Sequence, residues 1–278
     1  VPIEGVTFNL GSGSSTGTLP TGPAIRAEAT ALTLSRCLIR GPGQPSALEL
    51  IGATPASSNG GAEPGMMPVV LESCTLAGGS VGISAKGQVT LGLRDCSVAV
   101  RGAAVWLNNA PASPSASPFD FGADAEPIVL VGQPVPARLR LDHVSVVAGA
   151  DPVLRFEGTA VLVEVSDSLF APSQQLDRFA PGPPTLLAID DPDRLSWMGF
   201  GNLYARVGVF LLPTADPKNR PRVFDFESWA SNLSAAEAGS RSITEHVWAE
   251  PDPGAALARE VPASLAFRPT VTGVLPGD

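Results

Sequence analysis

A short phrase that recurs along most of this chain restricts its fold more than any other feature. Its form is apolar, any, polar turn former, small or apolar, any, apolar. It reads Leu34-Ser35-Arg36-Cys37-Leu38-Ile39, Leu71-Glu72-Ser73-Cys74-Thr75-Leu76, Leu93-Arg94-Asp95-Cys96-Ser97-Val98, Leu141-Asp142-His143-Val144-Ser145-Val146, Val165-Ser166-Asp167-Ser168-Leu169-Phe170 and, more loosely, Phe200-Gly201-Asn202-Leu203-Tyr204-Ala205. Such repetition marks a solenoid, in which each unit buries its apolar face against its neighbours. Cys74 and Cys96 are 22 residues apart and Val144 and Ser168 are 24. That is the length of one coil of three short strands and three turns, at about 3.3 Å per strand residue. The 48 residues between Cys96 and Val144 include the Pro/Ser-rich run 111–118, which punctuates rather than pairs.

Each phrase divides at its turn former into a strand before and a strand after, and a third strand follows a loop. The clearest coil predicts strands over 89–94, 96–100 and 103–107; the next, 137–141, 144–147 and 152–156; then 161–165, 168–170 and 186–189. Apolar and polar residues alternate along them, so one face packs inside and the other meets solvent. Insertions at 52–67, 108–126 and 171–184 leave the scaffold on one side, where repeat proteins usually carry function.

Composition fits many short strands joined by turns. Glycine (29) and proline (28) gather between Val/Leu/Ile runs, while the 44% hydrophobic content is too high for a disordered chain. No apolar run approaches the ~18 residues of a membrane span. A net charge of -9 with only two lysines, Lys86 and Lys218, disfavours nucleic acid, acidic glycans and anionic membranes as partners. The three cysteines share one slot of the phrase and are expected to stack inward as small apolar residues, with no histidine beside them to make a metal site.

The phrases resemble the coils of right-handed parallel β-helix proteins of the pectate-lyase-like superfamily, in which a strand ends at a tight Asn- or Asp-bearing turn and the next begins at once. The resemblance covers about residues 5–212 and is one of repeat pattern. It implies an all-β right-handed parallel β-helix with three short strands per coil, long loop insertions and a C-terminal cap. The expected division is a β-helix over 1–226 and a cap packed on the last coil over 227–278, with a capping box at Ser234-Ala235-Ala236-Glu237 opening a short helix. The Gly-His-Gly signature of polygalacturonase-like members is absent, since neither His143 nor His246 is flanked by glycine. The chain opens directly on strand-like sequence, and abundant Ala, Gly, Pro and Arg suggest a high-GC bacterial source. It is therefore expected to be part of a larger extracytoplasmic bacterial protein.

Two columns of residues are candidate sites. The turn column Arg36, Ser73, Asp95, His143, Asp167, Asn202 brings carboxylates beside an imidazole, but a tight corner asks for such residues on conformational grounds alone. The outward third-strand column reads Arg26, Glu49, Gly82, Trp106, Arg155, Ala188, and the resemblance makes this face the ligand groove. There Trp106 would stack on a sugar, Arg155 would hold a carboxylate bidentately and Glu49 would act as acid or ligand, with Arg26 a further ligand-binding candidate of the same column. The acidic loops at Asp190-Asp191-Pro192-Asp193 and at Asp120, Asp124 and Glu126 each fall short of the six to eight oxygens calcium needs. The expectation is a non-catalytic binding or interaction module, monomeric when isolated, with no cofactor or metal, whose partner is a glycan or another protein. A polysaccharide lyase or glycoside hydrolase using the third-strand face is the alternative. Low aromatic content, 6% with one tyrosine, speaks against an extended sugar groove.

Overall fold

The computed structural model describes residues 1–9, 22–28, 31–41, 44–52, 66–109, 136–149, 151–173, 183–215, 222–232, 236–259 and 261–270. Three parallel sheets run the length of the molecule. Sheet A stacks Pro2–Glu4, Leu32–Ser35, Met67–Glu72, Val89–Arg94, Ala137–Asp142, Val161–Ser166, Leu195–Phe200 and Ala236–Ala238. Sheet B stacks Thr7–Asn9, Leu38–Arg40, Thr75–Ala77, Ser97–Ala99, Ser145–Ala148, Leu169–Pro172, Leu203–Ala205 and Arg241–Ile243. Sheet C stacks Ile25–Glu28, Ser46–Ile51, Val81–Lys86, Val105–Asn108, Leu154–Glu157, Thr185–Ile189 and Val209–Pro213. One strand from each sheet makes a coil, and the chain is a parallel β-helix with three strands per coil.

The register follows the repeated phrase. Leu34, Leu71, Leu93 and Leu141 are direct partners in successive coils and are all buried. In Val89–Arg94 the residues at 89, 91 and 93 are buried and those at 90, 92 and 94 are not, as period-two alternation requires of a half-buried strand. Cys37, Cys74 and Cys96 stack inward, each no more than 2% exposed.

The corner between sheets A and B explains the polar turn formers. Gly5, Arg36, Ser73, Asp95, His143, Asp167, Gly201 and Gly239 all have positive φ, from 48° to 70°. A single residue in this left-handed region lets the chain turn sharply between two strands. The last phrase is therefore shifted by one relative to the sequence expectation: Gly201, not Asn202, occupies the corner. Asn202 takes the next, inward position, the slot of the cysteines, where its Oδ1 accepts from the Ser168 N–H at 3.0 Å. The slot forms a ladder toward the C-terminal end. Ser168 Oγ accepts from the Val144 N–H at 3.0 Å, and Ser240 Oγ from the Asn202 N–H at 2.9 Å. A small polar side chain there satisfies a backbone donor of the preceding coil that would otherwise be buried unpaired.

The C-terminal region differs from the expected cap. Residues 236–238 form a strand of sheet A rather than a helix, paired with Met198, Gly199 and Phe200, and Gly239 turns the next corner. The solenoid thus runs past residue 226. The reason lies in Glu237, which points inward as a hydrogen-bond acceptor instead of folding back as a helix cap. Helix α1, Phe226–Asn232, closes the end of the core with Trp229, packed edge-on against Trp197 at 5.0 Å. Helices α2 (Pro253–Ala258) and α3 (Ala263–Ala266) lie on the outer face of sheet B. Trp248, Leu257 and Phe267 cover a stripe of small residues there, Ala77, Ala99, Ala171 and Ala205. The chain therefore returns along the side of the solenoid as far as its third coil. Among the described residues no helix is long and apolar enough to cross a membrane.

Candidate functional site

Parallel pairing places Arg26, Glu49, Ser84, Trp106, Arg155 and Ala188 side by side on the outer face of sheet C. Five of these match the expected column. The exception is Gly82, whose place is taken by Ser84: two residues further along the strand Val81–Lys86, Ser84 is the one that pairs with Glu49 and Trp106. Gly82 lies where the backbone of the next coil comes close: a Cβ there would sit 2.6 Å from the Ala104 carbonyl oxygen.

Trp106 is half-buried rather than standing free. Its indole Nε1 donates to Glu157 Oε2 at 3.1 Å, and the Arg155 guanidinium lies over its ring at 5.1 Å. Arg155 in turn donates from Nε to Glu157 Oε1 at 2.7 Å. A cation over an indole face is attracted by the ring quadrupole; here the carboxylate also fixes where both groups point. Two coils beyond Ser84 on the other side the motif recurs. Arg26 donates from Nε to Glu28 Oε1 at 2.7 Å and approaches Glu49 Oε2 at 3.7 Å. Glu157 and Glu28 were absent from the sequence expectation. Their signal is the spacing Arg26-Ala27-Glu28 and Arg155-Phe156-Glu157, since residues two apart on a strand share a face.

A second cluster occupies the corner between sheets A and B. Of the expected Asp95, His143 and Asp167, the structure brings His143 and Asp167 together, with Nε2 3.9 Å from Oδ2, and adds Asp142. Asp142 Oδ1 lies 3.0 Å from His143 Nδ1 and accepts from the Ser166 hydroxyl at 2.9 Å, while Arg94 Nε meets Oδ2 at 3.4 Å. Partial burial alone would raise the Asp142 carboxyl; the Ser166 hydroxyl, Arg94 and His143 outweigh it and hold the group below the usual carboxylate range. Asp142 ends a strand whose other outward residues are Arg138 and Arg140, which hid it among ordinary surface charges.

The acids at 190–193 serve the backbone. Asp190 Oδ2 accepts from the Gly158 N–H at 2.6 Å, and Asp191 caps the 3-10 turn Pro192–Arg194 by accepting from the Asp193 N–H. Asp120, Asp124 and Glu126, and most of the three insertions, lie outside the described residues. Comparison of the chain with known protein families, curated proteins and solved structures finds no match.

Proposed function

We propose that this chain is a non-catalytic binding module that holds a polar chain, a glycan foremost, against the outer face of sheet C. The observation that carries the reading is the Trp106–Arg155–Glu157 group. Its aromatic face and planar guanidinium are already ordered by the protein, so a ligand need not bear the cost of ordering them. Glu157 balances the charge of Arg155, which favours an uncharged ligand over a polyanion on a chain of net charge -9.

The spacing of acids argues against glycoside cleavage on this face. Glu49 and Glu157 are separated by three coil steps and two residues along the strand, about 16 Å at ~4.8 Å per step and ~3.3 Å per residue, whereas paired catalytic carboxylates stand about 5–9.5 Å apart. The closer pair, Glu28 and Glu49, is engaged by Arg26 from both sides. The resemblance of the repeat to pectate-lyase-like β-helices, which implies a ligand groove on the third-strand face, supports the same choice of sheet, and an extracytoplasmic bacterial setting suits such a module.

Trp197, Trp229 and Trp248 are each no more than 1% exposed, so Trp106 is the tryptophan a surface ligand can touch. Isothermal titration calorimetry with neutral oligosaccharides, cellohexaose, xylohexaose and mannohexaose among them, should show saturable binding, with a fluorescence change in the unmodified chain; Trp106→Phe should weaken the calorimetric binding and Trp106→Ala should remove it. A ligand that binds equally well to Trp106→Ala places the site elsewhere.

A further inference from the structure

The geometry points to a first-row divalent cation site at the corner between sheets A and B, built from Asp142, His143 and Asp167. One donor atom from each residue lies within 4.8 Å of the others. The ring nitrogens of His143 stand 3.0 Å from Asp142 Oδ1 and 3.9 Å from Asp167 Oδ2. An ion with ~2.1 Å bonds holds adjacent ligands about 3.0–3.4 Å apart, so a small turn of the imidazole completes the set through one ring nitrogen. The His143 side chain is 55% exposed and has room for that turn.

The donor types select the ion. An imidazole between two carboxylates suits zinc, nickel, cobalt or copper(II), while calcium and magnesium prefer oxygen alone. The imidazole also separates this group from the loop acids, where both Asp190 oxygens and Asp191 Oδ1 accept from backbone N–H groups and Asp191 Oδ2 pairs with Arg194.

The frame is rigid. His143 and Asp167 occupy the same left-handed corner of consecutive coils, and their N–H groups donate to Ser166 O at 3.0 Å and Phe200 O at 2.9 Å. Asp142 is steadied by the Ser166 hydroxyl on Oδ1 and by Arg94 on Oδ2, the outer-sphere support that ligating carboxylates usually have. Arg94 adds a positive charge beside the ion and weakens binding without touching the oxygen that faces His143. Three protein donors leave further coordination positions open to water or to a donor atom of a bound molecule. The site is on a different face from Trp106, so it stands or falls independently of the sheet C reading.

The test uses the whole chain stripped with a chelator and titrated with zinc chloride in a non-coordinating buffer. The chain has two histidines, so ring 15N resonances assign the ligand without a mutation. One zinc per chain should bind, shifting a His143 ring nitrogen and leaving His246 in place. His143→Asn, which tolerates the left-handed corner, and Asp167→Asn should each weaken binding by about tenfold or more. Zinc that fails to saturate at millimolar concentration overturns the proposal. So does zinc that moves His246 alone, or binds His143→Asn as tightly as the unmodified chain.

Discussion

Trp197 and Glu237, forty positions apart in the chain, meet where the solenoid ends: the indole Nε1 donates to the carboxylate Oε1 at 2.6 Å. The same oxygen accepts from the Tyr204 hydroxyl at 2.8 Å and from the Trp229 indole at 3.2 Å. Gly199 makes room for it, since a Cβ there would stand 2.2 Å from Glu237 Oε2. One carboxylate thus joins the seventh coil, the eighth and helix α1. It also accounts for three aromatic residues with polar tips surviving inside an otherwise apolar core.

Glu237→Ala leaves those three donors without their shared acceptor. It should lower the unfolding free energy by about 3 kcal/mol or more, on ~1–3 kcal/mol for each buried group left unsatisfied. Glu237→Gln keeps an oxygen in place and should cost less. Urea denaturation of the two variants measures the difference, and equal losses would contradict the acceptor role.

Stability should fall on the alkaline side. Burial, and after it the Glu237 charge, holds the Tyr204 hydroxyl well above its ordinary value of 10.0. The group keeps its proton in the folded chain after the unfolded chain has begun to lose it. Its contribution is complete below about pH 9 and declines as pH rises beyond it. Denaturation midpoints across pH 8–11 should show that decline, and Tyr204→Phe should make it shallower. A Tyr204→Phe variant with the same alkaline decline would mean that Tyr204 titrates alike in both states.

Much of the fold was legible because a parallel solenoid writes itself one coil at a time. Leu34, Leu71 and Leu93 recur because they are paired neighbours in successive coils, and the thiols of Cys37, Cys74 and Cys96 recur because the slot behind the corner points inward and takes a compact side chain that is apolar or bonds the backbone of a neighbouring coil. The reading slipped where the physics has two solutions. Asn202 and Gly201 both suit a left-handed corner, and the choice depends on Asn202 meeting the Ser168 N–H, a contact between coils. Likewise Glu237 after Ser234 has capping-box spacing, and only the distant Trp197 and Tyr204 turn it inward as a strand residue. Of the sheet C face, Trp106 and Arg155 were visible, but not Glu157, which matters because it binds both.

The corner column carries conformational strain that substitution can expose. Ser73 sits at φ 54°, where a β-branched residue is strongly disfavoured. Ser73→Val should destabilise by about 1–2 kcal/mol, while Ser73→Gly should be neutral or slightly stabilising. Thermal melts that rank the two variants the other way would contradict the left-handed assignment.

Trp106 and Arg155 should be coupled through Glu157. Measured by ligand affinity, Glu157→Gln should cost less in a Trp106→Phe background than in the unmodified chain, since the indole N–H that Glu157 holds is gone. A double-mutant cycle reads this directly. Additive effects would mean that Glu157 does not organise the platform.

The most direct test incubates the unmodified chain with soluble neutral and uronate polysaccharides and follows retention on each, unsaturated products by ultraviolet absorbance, and new reducing ends. The account predicts retention on a neutral polymer that Trp106→Ala loses, with neither product rising above the blank. Product formation that disappears on replacing Glu49 or Arg155 would contradict it and make the sheet C face an active site.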